Sequence, residues 1–438
     1  MTEGTRRTSR FAVAILGTAV LAAGFAIVFR ATLALVLRGI AHAANVVEAI
    51  TAAPFWLRLL LPTAGAFAAG LWTVLLRKRE SVGGVGDVME AVALGTRKLS
   101  MVTTLLKSAA SWCAIATGGS LGREGPLIQF GGTAGQTMGE WLAVDARDAR
   151  VLVAAGTAAG FAAAYNTPLA AVAFVLEIVA GAIVVETVVP TLLATVIATA
   201  LTRAVVGSGP IYGTRTFVLA NPGELAAFAC VGLVAALIAV SFTRLVSFGE
   251  RAFHRPWLKA PWRQALGGLC AGAVLVWLPS VAGNGYEPLN VILDGKMLVP
   301  AVAALLLAKA FSTMFSVSSG SPGGVFTPTM LIGGCTGYLV GIALARLGLD
   351  VGPAGGYALV GMAAAIAATT HAPLMAAVLA FELSGDYAVV LPLALATVLA
   401  TALAKRLLPE SIYQEELRKR GVAWDITVAR RADVRGDE

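Results

Sequence analysis

Charge is scarce in this chain: 13% of its 438 residues are charged, about half the share usual in a soluble domain. Histidine occurs three times, at His42, His254 and His371, and these are scattered. The four cysteines, Cys113, Cys230, Cys270 and Cys335, stand in small apolar surroundings without a CxxC pair. They read as buried thiols rather than as disulfides or metal ligands. No HExxH and no GxSxG occurs, so a membrane metalloprotease or lipase has no support. No metal and no cofactor is expected. Long alternating strands are also missing, which argues against a membrane β-barrel.

What remains is apolar. Hydrophobic residues make up 58% of the chain and the mean hydropathy is +0.80. This is the composition of a polytopic α-helical membrane protein. The formal net charge of +8 suggests nucleic acid at first sight, but the basic residues fall at the ends of apolar runs. Membrane topology places them there, and no nucleic-acid partner is expected.

Residues 1–10 carry Arg6, Arg7 and Arg10, and residues 11–29 are nearly uncharged. That run is too long for a signal-peptide core and is read as a retained first helix with a cytoplasmic N-terminus. A second span over 56–76 ends in Arg77, Lys78 and Arg79. Residues 81–95 form a glycine turn and a segment too short to span. Further helices are expected over 99–117, 148–164, 168–180, 186–202, 222–243, 264–280, 287–294, 300–317, 355–369, 373–384 and 388–404. Polar residues 203–221 form an external loop. Arg244, Arg251, Arg255, Lys259 and Arg263 mark a cytoplasmic linker. Lys405, Arg406, Arg418, Lys419 and Arg420 place the C-terminus on the same side. The resulting division is 1–10, a first half 11–215, a second half 216–408, and a C-terminal helix and tail 409–438.

The most informative stretch is Gly118 to Gly135, GGSLGREGPLIQFGGTAG, which sets Arg123 beside Glu124 among apolar runs. Its glycines turn the chain into a helix that starts between Glu124 and Pro126. A helix start exposes unpaired N–H groups and partial positive charge, which together suit an anion. The stretch recurs. Pro126, Gly131, Gly132 and Gly135 match Pro328, Gly333, Gly334 and Gly337, 202 residues on. Thr167-Pro168-Leu169 and Glu177 match Ala372-Pro373-Leu374 and Glu382, 205 residues on, as Gly156 matches Gly361. Glycine- and proline-interrupted helices at corresponding places in two halves point to a transporter whose site lies where the halves meet. Glu124 and Phe326 are equivalent positions, so one half contributes a carboxylate and the other a ring.

These motifs resemble those of the CLC chloride channels and chloride/proton antiporters. Gly122-Arg123-Glu124-Gly125-Pro126 is similar to that family's GREGP, and Gly324-Val325-Phe326-Thr327-Pro328 to its GxFxP. Tyr413 stands where the family has a pore tyrosine. The resemblance spans nearly the whole apolar region. It implies an all-α fold of inverted-topology repeats with tilted, discontinuous helices, in a homodimer with one pore per subunit in the cell (inner) membrane. It implies that Glu124 is a gating glutamate, binding protons and competing with chloride. The implied chloride-binding set is Val85, Gly86, Arg123, Gly125, Val325, Phe326 and Tyr413.

The sequence departs from the family twice. Where the family has GSGIP, this chain reads Gly84-Val85-Gly86-Asp87-Val88, so no serine hydroxyl reaches the anion. Ile178 takes the position of the antiporters' internal proton-transferring glutamate, so that site is absent here. The expectation is passive, channel-like chloride conduction gated by Glu124. The alternative within the family is a chloride/proton antiporter with another internal proton route. The alternative outside it is a cation-coupled carrier of small solutes. Glu177 and Glu382 are expected to pair structurally with buried polar groups, and Glu186 to be a surface helix-end residue. No paired nucleotide-binding modules are expected after the membrane region.

Overall fold

The computed structural model describes residues 3–76, 84–93, 95, 97–181, 185–207, 209, 211–213, 215–217, 219, 221–422 and 424. Regular structure among them is helical. The first half contains α1 (Glu3–Ile40), α2 (Val46–Ala52), α3 (Phe55–Leu76), α4 (Val85–Ala93), α5 (Met101–Ala116), α6 (Glu124–Trp141), α7 (Ala146–Tyr165), α8 (Pro168–Phe174) and α9 (Val185–Val206). The second contains α10 (Glu224–Phe253), α11 (Trp262–Trp277), α12 (Tyr286–Leu293), α13 (Val299–Ser318), α14 (Phe326–Arg346), α15 (Ala354–Thr370), α16 (Pro373–Ser384), α17 (Val390–Leu407) and the short α18 (Ile412–Lys419). Seven helices among the described residues are long and apolar enough to cross a bilayer. This is an all-α, multi-pass membrane protein.

Two boundaries refine the sequence reading. Residues 3–10, expected as a cytoplasmic N-terminus, are helical and continuous with the first span in α1. At 38 residues that helix is longer than a bilayer requires. The segment expected over 168–180 is α8 followed by a π-helical turn, Val175–Val179, which carries Glu177 and Ile178. Single π turns interrupt helices mostly at functional places. The basic cluster at 77–79 lies outside the described residues.

The halves repeat each other in three dimensions. Helices α6 and α7 cross through glycine: a Cβ on Gly131 would collide with the carbonyl of Gly156, and one on Gly156 with that of Gly131. In the second half Gly333 and Gly361 meet in the same way between α14 and α15. After α7 and after α15 the chain breaks at Asn166 and His371, both left-handed with φ of 61° and 60°. Pro168 and Pro373 then open α8 and α16. A left-handed cap followed by proline stops one helix and starts the next.

Helices α8 and α16 cap each other across the halves. Glu177 accepts hydrogen bonds from the backbone N–H of Leu374 (3.2 Å) and Met375 (2.6 Å). Glu382 accepts from Leu169 (3.0 Å) and Ala170 (2.7 Å). Both carboxylates thus serve helix starts, which agrees with the expected structural role. Their partners are main-chain amides rather than polar side chains. Arg7 pairs with Asp145 and Asp148 at the start of α7. Since α7 and α8 run out and back, the beginning of α1 and α18 lie at the same end of the bundle.

Candidate functional site at the meeting of the two helix starts

Gly122 and Gly324, equivalent residues of the repeat, pair in an isolated antiparallel bridge. Each donates its N–H to the other's carbonyl, at 2.8 and 2.9 Å. A residue that pairs antiparallel with its own repeat equivalent lies on an approximate two-fold axis that relates the halves. The starts of α6 and α14 therefore meet at one point. A Cβ on Gly122 or Gly324 would meet the Glu124 carboxylate where it now rests, so the two glycines make room for it.

Glu124 is 1% exposed. Its Oε1 accepts from the backbone N–H of Phe326 at 3.0 Å and of Thr327 at 3.4 Å. Its Oε2 accepts from the Thr327 hydroxyl at 2.9 Å. Neither α6 nor α14 has a side-chain N-cap of its own at Arg123 or Val325. The acid of one half thus supplies the negative charge that the helix start of the other half lacks. The Thr327 hydroxyl has one proton, given to the carboxylate, so the Tyr165 hydroxyl 3.0 Å away donates to it in turn. Phe161 and Tyr165 pack against the Phe326 ring, both at 5.7 Å between centroids. The carboxylate is held in a dry, aromatic-walled place where charge is strongly favoured only by these donors.

Val325, Phe326 and Glu124 are brought together as the sequence suggests, and Gly125 follows Glu124 in the first turn of α6. Tyr413 is buried on α18, close enough for its phenol to feel the Glu124 charge. Val85 and Gly86 open α4, where Gly86 packs on Glu416 and Arg420 of α18, the helix of Tyr413. Arg123 goes elsewhere. It forms no ion pair with Glu124, and its guanidinium carbon stands 5.1 Å from the ring centroid of Tyr286. As a side chain it belongs to a different cluster from the carboxylate beside it in sequence.

Three features were not foreseen. Thr327 and Tyr165 complete the hydrogen-bond chain to Glu124. A threonine immediately after the helix-opening residue was the available signal for the first, and nothing local marks the second. Asp87, noted in the sequence only as a departure from a motif, is 2% exposed and gathers three cations. These are Arg420 (2.6 Å), Arg97 (3.5 Å) and Lys107 (3.5 Å).

A cavity of 540 Å³ opens at the α18 end, lined by Ile178, Glu177, His371, Lys405, Gln414 and Trp424 among others. Ile178 thus stands at its wall with an apolar side chain. Glu186, by contrast, pairs with Arg147 on the surface. No group of three or more potential metal ligands occurs among the described residues.

Residues 64–405 match the model of the family described as voltage gated chloride channel. A putative chloride channel protein ClcB-like of Ralstonia nicotianae is 39% identical over 380 residues, which are 86% of this chain and 89% of that one. A voltage-gated ClC-type chloride channel ClcB of Escherichia coli is 31% identical over 387 residues, 86% of this chain and 90% of that one. Among solved structures, a slow cyanobacterial Cl−/H+ antiporter superposes with a TM-score of 0.83 at 23% identity, over 94% of this chain and 98% of that one. A CLC-type fluoride/proton antiporter gives 0.73 at 23% identity, over the same shares. The repeated halves, the glycine bridge at their meeting point and these likenesses agree: the chain belongs to the CLC family of voltage gated chloride channels.

Proposed function

We propose that this protein carries chloride across the cell (inner) membrane by channel-like conduction gated by Glu124. The observation that carries this reading is the Glu124 carboxylate seated on the amides of Phe326 and Thr327. Those amides form a monovalent anion site, and the carboxylate is its tethered occupant. Chloride enters when the carboxylate is displaced, or is protonated and loses its claim on the donors. Tyr413, with Val85 and Gly86 on the neighbouring α4, lines the way from this point toward the α18 end. Loss of the serine at Val85 leaves backbone donors alone on that side.

Channel-like rather than coupled transport is supported by Ile178, which cannot hold a proton. The one acid beside it, Glu177, is bound to two amides of α16. The second reading, chloride/proton antiport, is favoured by the cavity at Ile178. His371 and Lys405 line the same cavity as Ile178, and the cavity so offers another proton route. Cytoplasmic placement of both chain ends follows from the basic residues near them, including Arg6, Arg7, Arg10, Lys405 and Arg406. A homodimer is carried over from the family.

Purified protein in liposomes loaded with chloride, with valinomycin collapsing the potential, decides between the readings. Chloride efflux without proton movement is expected. Efflux with stoichiometric proton movement would establish antiport, and no chloride movement at all would remove the reading.

A further inference from the structure

At the end of the bundle away from α18, two guanidinium groups and two phenols meet. Among the described residues, four of their polar atoms are buried without a protein hydrogen-bond partner of good geometry: Nε of Arg30, Nε of Arg123, and the hydroxyls of Tyr212 and Tyr286. The phenols are 1% and 8% exposed. Arg123 stands over the Tyr286 ring at 5.1 Å. Tyr212 meets the same ring edge-on, at 5.7 Å and 81°. Arg30 comes from α1 and donates to the carbonyl of Ala164 in the last turn of α7. It lies close enough to Arg123 for the two positive charges to act on one another. Neither guanidinium forms an ion pair among the described residues. Glu124, beside Arg123 in the chain, is turned onto α14. Glu287 on α12 lies within electrostatic range of Tyr212 without pairing with either arginine.

Two like charges held together in a part-buried place repel one another, and each unpartnered buried donor adds a desolvation cost. Water could accept from the four groups but would leave the doubled positive charge uncompensated. An anion lodged among them gives these donors an acceptor and compensates the charge as well. We propose that Arg30, Arg123, Tyr212 and Tyr286 form a side-chain site for a small monovalent anion of the halide class, through which the anion passes before it reaches the amides of α14. The site is separate from the one Glu124 occupies. That one is built from main-chain amides at a helix start. This one is built from side chains of α1, of the residue preceding α6, of the segment 211–213, and of α12. It rests on the anion-transport reading for its purpose, though not for its existence.

Crystals of the full chain soaked in bromide, read by anomalous scattering, test the site directly. Chloride efflux from liposomes at low chloride tests its role. A bromide peak is expected among the four side chains and should disappear in Arg30→Gln. In the Tyr212→Phe/Tyr286→Phe double variant, which keeps the ring volumes, the half-saturating chloride concentration should rise roughly a hundredfold or more. That is the loss expected on removing hydrogen bonds to a charged partner. Arg30→Lys, which keeps the charge, should retain most of the wild-type behaviour. An ordered water cluster with no anomalous peak would overturn the proposal, and so would a folded tyrosine double variant with unchanged half-saturation. Bound bromide in a wild-type protein that moves no chloride would uphold the site and refute the transport reading instead.

Discussion

Thr327→Val separates the carboxylate's hold on the anion site from the site itself. The substitution keeps the side-chain volume and the backbone amides of Phe326 and Thr327. It removes the hydroxyl that donates to Glu124 Oε2 at 2.9 Å. A hydrogen bond to a charged group contributes about 1.5–3 kcal/mol. A tenfold change corresponds to about 1.4 kcal/mol, so the carboxylate should occupy the site roughly 10- to 100-fold less firmly. A monatomic anion on the amides has no second oxygen reaching Thr327, so its own binding should change little. Apparent chloride affinity, measured by calorimetric titration of detergent-solubilised protein, should therefore increase by up to that factor. Glu124→Ala sets the upper limit and should also conduct without dependence on pH. The Tyr165 hydroxyl would lose its acceptor in Thr327→Val. The Tyr165→Phe/Thr327→Val pair therefore controls for a buried, unpartnered phenol. A folded Thr327→Val protein with unchanged or weaker chloride affinity would show that the carboxylate is not the competitor described.

Other consequences can be checked in parallel. Gly131→Ala and Gly333→Ala should each lower stability by about 1–3 kcal/mol or more through overpacking at the helix crossings. Gly24→Ala, where a Cβ meets nothing within 4 Å, should not; thermal unfolding followed by size exclusion distinguishes them. Glu177→Leu and Glu382→Leu should each cost about 1–2 kcal/mol by removing a helix-start acceptor while leaving anion selectivity unchanged. A selectivity change without a stability change would contradict the capping role. Asp87→Asn should destabilise the fold by roughly 1–3 kcal/mol, since it takes the buried carboxylate from Lys107, Arg97 and Arg420, of which the two arginines keep Glu90 and Glu416. A wild-type melting temperature in that variant would show that the cations find other partners.

Much of the architecture was legible because it is periodic. Apolar runs of bilayer length and basic residues at their ends follow from the solvent alone, and they defined a polytopic helical protein. The repeat was legible because helix crossings this close admit only glycine, so Gly131, Gly156, Gly333 and Gly361 had to recur. Glu124 was legible because an acid in an apolar setting beside a helix start carries its reason with it. Where the Arg123 side chain goes was not legible: successive residues at a helix start point in different directions, and it turns from Glu124 toward Tyr286. The π turn at Val175–Val179 has no distinct sequence pattern, and it left the segment around Ile178 described only as a helix.

The sequence by itself determined the class of solvent, the two-fold repetition and the identity of the buried carboxylate, because each depends on composition or spacing along one chain. Only the tertiary structure decided where that carboxylate rests, and which groups are left over. The Gly122–Gly324 bridge, the crossed caps of Glu177 and Glu382, the cations around Asp87, and the meeting of Arg30 with Tyr212 and Tyr286 all join residues that the packing brings together. Most of them are far apart in the chain. A hydrogen bond or a charge acts over a few ångströms in space, and no local pattern records which distant donor the fold will bring within that range.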